Sequence, residues 1–116
     1  MAYMVAPNFL PFFSVVIPTF NRAGLLDAAL VSVLQQTYPD FELIVVDNGS
    51  TDETRSYLSG IQDTRVRYRY QIGSGSPASP RNHGILKARG KWIAFLDSDD
   101  TWESRKLEVI QRKLST

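Results

Sequence analysis

Three short runs of apolar and β-branched residues each stop abruptly in polar ones: FSVVIP at Phe13 to Pro18, FELIVVD at Phe41 to Asp47 and WIAFLD at Trp92 to Asp97. Runs this short and this continuously apolar predict strands covered on both faces, and hence a parallel sheet. A fourth run, RVRYRY at Arg65 to Tyr70, alternates polar with apolar residues and predicts a strand with one wet face, nearer an edge.

Between these runs the apolar period lengthens to that of a helix. Leu25, Leu26, Ala29, Leu30, Val33 and Leu34 predict one stripe, stopped by Thr37-Tyr38-Pro39-Asp40. Ser50-Thr51-Asp52-Glu53 has the Ser-x-x-Glu spacing of a capping box and predicts a helix ending at Gly60. Ser79-Pro80 reads as N-cap and first-turn proline of a helix reaching Ala88, with Gly90 beyond it. A last helix from Thr101 to about Leu114 places Leu107, Ile110 and Leu114 on one face. Strand and helix alternate throughout, which predicts an α/β fold with right-handed crossovers.

Composition narrows the classes. The chain of 116 residues is 43% hydrophobic, enough for one domain, and a net charge of +1 with acids and bases interspersed gives no pull toward nucleic acid. There is no cysteine, which excludes disulfides and thiolate metal sites and fits a reducing cytoplasm. No stretch approaches the roughly 18 apolar residues of a membrane helix, and the N-terminus lacks the basic start of a leader. IGSGSPASP, from Ile72 to Pro80, is either a flexible connection or a loop that closes on a ligand.

In a parallel α/β sheet, ligands bind beyond the carboxyl ends of the strands. Those ends read Pro18-Thr19-Phe20-Asn21-Arg22, Asp47-Asn48-Gly49-Ser50 and Asp97-Ser98-Asp99-Asp100. An Asp-x-Asp there offers hard oxygen ligands for magnesium or manganese, which would offset the repulsion among the acids. The plain alternative is a solvated turn, with Asp99 or Asp100 favouring the N-terminus of the last helix. Asp47 can accept hydrogen bonds from a base or ribose, or can close an Asx turn. As a strand-end carboxylate it is expected to be exposed and to matter little to the fold. Arg22 and Arg81 are candidate phosphate or base anchors, or solvated cations. The single histidine, His83, reads as a helix residue, since no second one completes a site.

Taken together, SVVIPTFNR, LIVVDNGSTDET, PRNHGILKARGKWIAFLDSDD and WESRKLE resemble the nucleotide-binding half of the inverting family-two glycosyltransferases. The resemblance covers about residues 13 to 114 and implies a GT-A fold: a Rossmann-like half with a mainly parallel sheet of about four strands flanked by helices. Residues 1–12 are then an N-terminal extension and 13–116 the nucleotide-diphosphate-sugar-binding domain.

The resemblance also implies roles. Pro18, Thr19, Phe20, Asn21, Arg22, Asp47, Asn48, Arg81, Asp97 and Ser98 are expected to bind nucleotide, with Asp99 the direct metal ligand, Asp97 a metal ligand nearer the ribose, and Asp100 undecided. Relatives usually carry an aspartate where this chain has Asn48, whose oxygen could still meet a uracil N–H. The implied partners are a nucleotide-diphosphate sugar, such as a UDP-sugar, with Mg2+ or Mn2+, and a saccharide or other hydroxyl acceptor. No nucleic acid is expected. The general base of the family lies in a C-terminal part that has no counterpart here, so the chain alone is expected to bind donor without efficient transfer. Apolar surface that such a part would cover could instead form a homodimer, and membrane association is expected only through regions outside these residues.

Two rivals stand beside this reading. A phosphatase or receiver domain also gathers aspartates at parallel strand ends, but the phosphatase type places Asp-x-Asp after the first strand, where this chain has Pro-Thr-Phe-Asn. The other is a non-catalytic nucleotide-binding or assembly module.

Overall fold

The computed structural model describes residues 10–73, 75–76 and 78–115, so most of the expected N-terminal extension, and Ser74 and Pro77 of the IGSGSPASP stretch, lie outside the described residues. The elements run β1 (Phe13–Thr19), α1 (Ala23–Leu34), β2 (Phe41–Asn48), α2 (Thr54–Ser59), β3 (Val66–Gln71), α3 (Ala78–Lys87), β4 (Trp92–Phe95) and α4 (Lys106–Leu114). They form one all-parallel sheet in the order β3-β2-β1-β4. The expected alternation is borne out, and β3 is indeed an edge.

Successive side chains on a strand face opposite sides, and the two sides are covered differently. Val15, Ile17, Leu43 and Val45 join Leu26, Ala29, Leu30, Val33, Leu58 and Leu107 in the main core, which therefore lies under α1, α2 and α4. Each Val, Leu or Ile side chain among them, fully withdrawn from water, contributes about 1.5–3 kcal/mol. Val16, Ile44 and Val46 form a smaller core on the other side, under α3. There α3 lies so close to β1 that a Cβ on Gly84 would stand 2.4 Å from Val16 Cγ1.

Several expectations need correction. β4 ends at Phe95, not Asp97, although the Leu96 N–H still bonds the Val16 carbonyl. It is also not covered on both faces: it is the second edge, and Trp92, Ile93 and Phe95 are 46%, 38% and 42% exposed. Leu25 lies off the buried stripe of α1, about 51% exposed. The capping box of α2 does not form, because the Ser50 hydroxyl accepts the Asn21 N–H at 2.8 Å while Asp52 Oδ1 takes the Thr54 N–H at 2.9 Å. The last helix begins at Lys106, five residues later than Thr101.

The intervening segment is not loose. Gln36, buried at the end of α1, donates to the Glu103 carbonyl at 2.7 Å and accepts the Leu107 N–H at 2.9 Å, satisfying one of the four unpaired donors that begin α4. Trp102 N–H donates to Ser32 Oγ at 3.1 Å. These contacts tie the chain just after the acidic turn to α1. Among the described residues no helix is long and apolar enough to cross a membrane.

Candidate functional site

The strand order reverses between β1 and β4, because β2 and β3 lie to one side of β1 and β4 to the other. A crevice forms at such a point beyond the carboxyl ends. Here it is a cleft of about 580 Å3, within the usual size for a small-molecule site. Pro18, Thr19, Phe20, Asn21 and Arg22 reach it from β1, Asn48 from β2, Arg81 from α3, and Asp97, Ser98 and Asp99 from the turn after β4. The three strand ends expected to converge therefore do so. Pro80 also lines the cleft; the sequence marked it only as a helix-start proline and not as a binding residue, although its place beside Arg81 was a signal.

Asp47 does not line it, and it is not exposed. It follows the odd-numbered residues of β2 onto the α2 side, is fully buried, accepts the Ser50 N–H at 2.9 Å and stands 3.4 Å from the Tyr68 hydroxyl, which donates to it. Burial, and then the charge of Asp47, push the Tyr68 pKa up, so the phenol stays protonated and remains a donor. The Asx-turn alternative describes this contact better than an open ligand site.

The β1 and β2 loops are laced together by Asn21. Its Oδ1 accepts the N–H groups of Thr51 at 2.8 Å and Asp52 at 3.2 Å, and its backbone sits at φ 49°, a left-handed conformation that asparagine tolerates better than most residues. Gly49, at φ 79°, lets the β2 loop meet Gly73, whose nitrogen would be 2.5 Å from any added Cβ. Asn48, 8% exposed, faces the α3 side, and its Oδ1 accepts from Gln71 Nε2 at 2.8 Å. That oxygen, expected to be at hand for a base N–H, already serves an internal donor. Thr19 lines the cleft with a buried hydroxyl that has no hydrogen-bond partner among the described residues.

On the far wall, Arg81 Nη2 donates to Asp97 Oδ1 at 3.2 Å, both side chains partly exposed. The Asp100 N–H closes the acidic turn on the Asp97 carbonyl at 3.0 Å. Asp97, Asp99 and Asp100 can each bring a carboxylate oxygen within 4.8 Å of the others. Neighbouring ligands of an octahedral magnesium stand about 3 Å apart and opposite ones about 4 Å, so this all-oxygen set has the chemistry for a hard divalent cation but would have to draw together to hold one. His83 sits on α3 with Nδ1 2.8 Å from Gln71 Oε1, outside the cleft lining, as a helix residue rather than a base.

Residues 14–116 match the family model described as glycosyl transferase family 2. An uncharacterized glycosyltransferase of Rickettsia felis is 47% identical over 98 residues, covering 83% of this chain and 16% of the relative. The Escherichia coli UDP-Glc:alpha-D-GlcNAc-diphosphoundecaprenol beta-1,3-glucosyltransferase WfgD is 38% identical over 96 residues, covering 83% of this chain and 38% of its own. Among solved structures, S. aureus TarS 1–349 in complex with UDP-GlcNAc superposes with a TM-score of 0.84 at 31% identity, covering 89% of this chain and 31% of that one. The chain thus spans well under half the length of each of these relatives.

Proposed function

The chain belongs to glycosyl transferase family 2 and has its GT-A fold, and on that premise we propose that its cleft binds a nucleotide-diphosphate sugar, a UDP-sugar first, together with a divalent cation, for inverting transfer of the sugar to an acceptor hydroxyl. The observation that carries this reading is the convergence of the β1, β2 and β4 ends with Arg81 on one cleft. The UDP-GlcNAc complex of TarS and the UDP-Glc donor in the name of WfgD support the choice of base.

In this reading the planar Arg81 guanidinium leaves Asp97 to bind phosphate oxygens in pairs, an exchange of one charge-assisted bond for two. Thr19 supplies a hydroxyl whose burial without a partner costs about 1–3 kcal/mol, recovered when a ligand group bonds it. Asp99 and Asp97, with Asp100 beside them, would hold magnesium or manganese. When bound, the ion offsets charge on the departing diphosphate. The acceptor oxygen forms its bond to the anomeric carbon as the bond to the phosphate oxygen breaks, and its proton passes to a general base. We assign that base to a segment outside residues 13–116, with the acceptor site and any membrane association, and place the domain in the cytoplasm. The chain alone then binds donor and turns over poorly.

Calorimetric titration with UDP, GDP and ADP tests the reading. One saturable site displaced by a UDP-sugar is expected, without acceptor-dependent turnover. The second reading, an assembly module that could pair as a homodimer, is favoured by the exposed Trp92, Ile93 and Phe95 on the β4 edge. It predicts self-association in sedimentation runs and no nucleotide binding.

A further inference from the structure

The side of the sheet under α3 gathers positive charge. In the β2 and β3 register Ile44 pairs with Arg67, Val46 with Arg69 and Asn48 with Gln71, so these side chains share that side. Neither α3 nor β3 contains an acid, and Glu42, buried on β2, is already held by Arg67 Nη1 at 2.7 Å and Arg89 Nη2 at 3.2 Å. Arg69 and Lys87 have no ion-pair partner among the described residues.

These two cations meet at one turn of helix. His83 and Lys87 are four residues apart and so lie on one face of α3. Arg67 Nη1 donates to the Lys87 carbonyl at 3.0 Å, and Gln71 stands 2.8 Å from His83 Nδ1, so Arg69, between them on β3, lies against the turn from His83 to Lys87. Its Nε is buried and has no hydrogen-bond partner among the described residues, a donor left without the acceptor that burial calls for. Alongside runs a groove of about 560 Å3 lined by Asn82, His83 and Lys87, none of which lines the cleft. Burial, and then the charges of Lys87 and Arg69, hold the His83 pKa below its usual value, so the ring is neutral at pH 7 and an anion seated beside it would favour the charged form.

We propose that this groove is a second binding site, separate from the cleft, which takes a phosphoryl dianion between Arg69 and Lys87. The guanidinium offers a fork of donors, the ammonium a point charge and Asn82 an amide. Two cations without acids match a doubly charged phosphate monoester better than a carboxylate, which carries a single charge. A soluble phosphate ester and a phosphomonoester lipid headgroup present the same oxygens to these groups.

The probe is inorganic phosphate, titrated into the whole chain while the ring protons of its single histidine are followed by NMR. Saturable shifts are expected, with the half-titration of His83 raised by about one pH unit. Arg69→Gln and Lys87→Gln should each weaken phosphate at least tenfold with the urea midpoint kept, and Lys87→Arg should retain binding. Arg81→Gln should leave the His83 response as it is. Phosphatidylcholine vesicles containing phosphatidic acid separate the sources: co-sedimentation that is lost in Arg69→Gln assigns a lipid headgroup, and phosphate binding without co-sedimentation assigns a soluble ester. A response reproduced by sodium chloride at equal ionic strength would reduce the effect to screening and overturn the proposal. So would phosphate affinity unchanged in the Arg69→Gln, Lys87→Gln double variant, or a His83 response abolished by Arg81→Gln, which would put the phosphate in the cleft. Either failure leaves nucleotide binding at the cleft untouched.

Discussion

Arg81 and Asp97 hold each other on one wall of the cleft, Nη2 to Oδ1 at 3.2 Å, so that wall offers a cation and the first acid of the Asp-x-Asp turn as a ready pair. Both side chains are partly exposed, and such a pair contributes only about 0–1 kcal/mol to stability. Arg81→Ala should therefore leave the denaturant midpoint nearly unchanged while weakening nucleoside diphosphate binding at least tenfold. Paired chemical denaturation and calorimetry would check this; equal loss in both would make the arginine a structural residue.

Asp47 calls for the opposite expectation from the one its sequence position suggested. Removing it strands the buried Ser50 N–H and takes away the acceptor of Tyr68. Asp47→Ala should cost about 1–3 kcal/mol of stability, read from urea unfolding, and weaken ligand binding only through the displaced β2 loop.

Glu42 gives the fold its acid sensitivity. It is buried on β2 and accepts from the Ser14 hydroxyl at 2.6 Å, Arg67 Nη1 at 2.7 Å and the Arg89 N–H at 2.7 Å. Burial alone would push its pKa up, but these donors, Ser14 foremost, bring it below the ordinary 4.5. A depressed folded pKa means the stabilisation is complete above about 4.5 and is lost as pH falls through the folded value. Unfolding free energy should drop below pH 4.5, and Glu42→Gln should flatten that slope while lowering stability at pH 7. An unchanged slope in the variant would place the acid sensitivity elsewhere.

Gly84 is demanded by packing. A methyl group there would overlap Val16 Cγ1, so Gly84→Ala should cost about 1–3 kcal/mol by pushing α3 off β1. Adding Val16→Ala should recover part of that loss, a non-additive pair in a thermal denaturation cycle.

How far the sequence could be read depends on which physical term decided each feature. β1 and β2 were legible because they are apolar on both faces, and the strand-end rule then found the cleft residues. β4 has the same pattern yet lies at an edge, since composition does not say which strand has a neighbour on each side. The alternation along β2 put Asp47 and Asn48 on opposite faces, but which face holds the cleft depends on strand order, which no single run encodes. Ser50 matched a capping box, and a residue 29 positions away in the chain, Asn21, claimed its hydroxyl first. Gln36 and Gln71 carried no local signal, because their partners lie on other elements.

The proposed role of the cleft requires the acidic turn to serve a bound nucleotide. Titrating UDP into the chain with and without manganese, and repeating this with Asp99→Ala, tests it most directly. Saturable binding that strengthens at least tenfold with manganese, and loses that gain in Asp99→Ala, is the predicted result. Binding indifferent to both manganese and Asp99, or no binding at all, would contradict it.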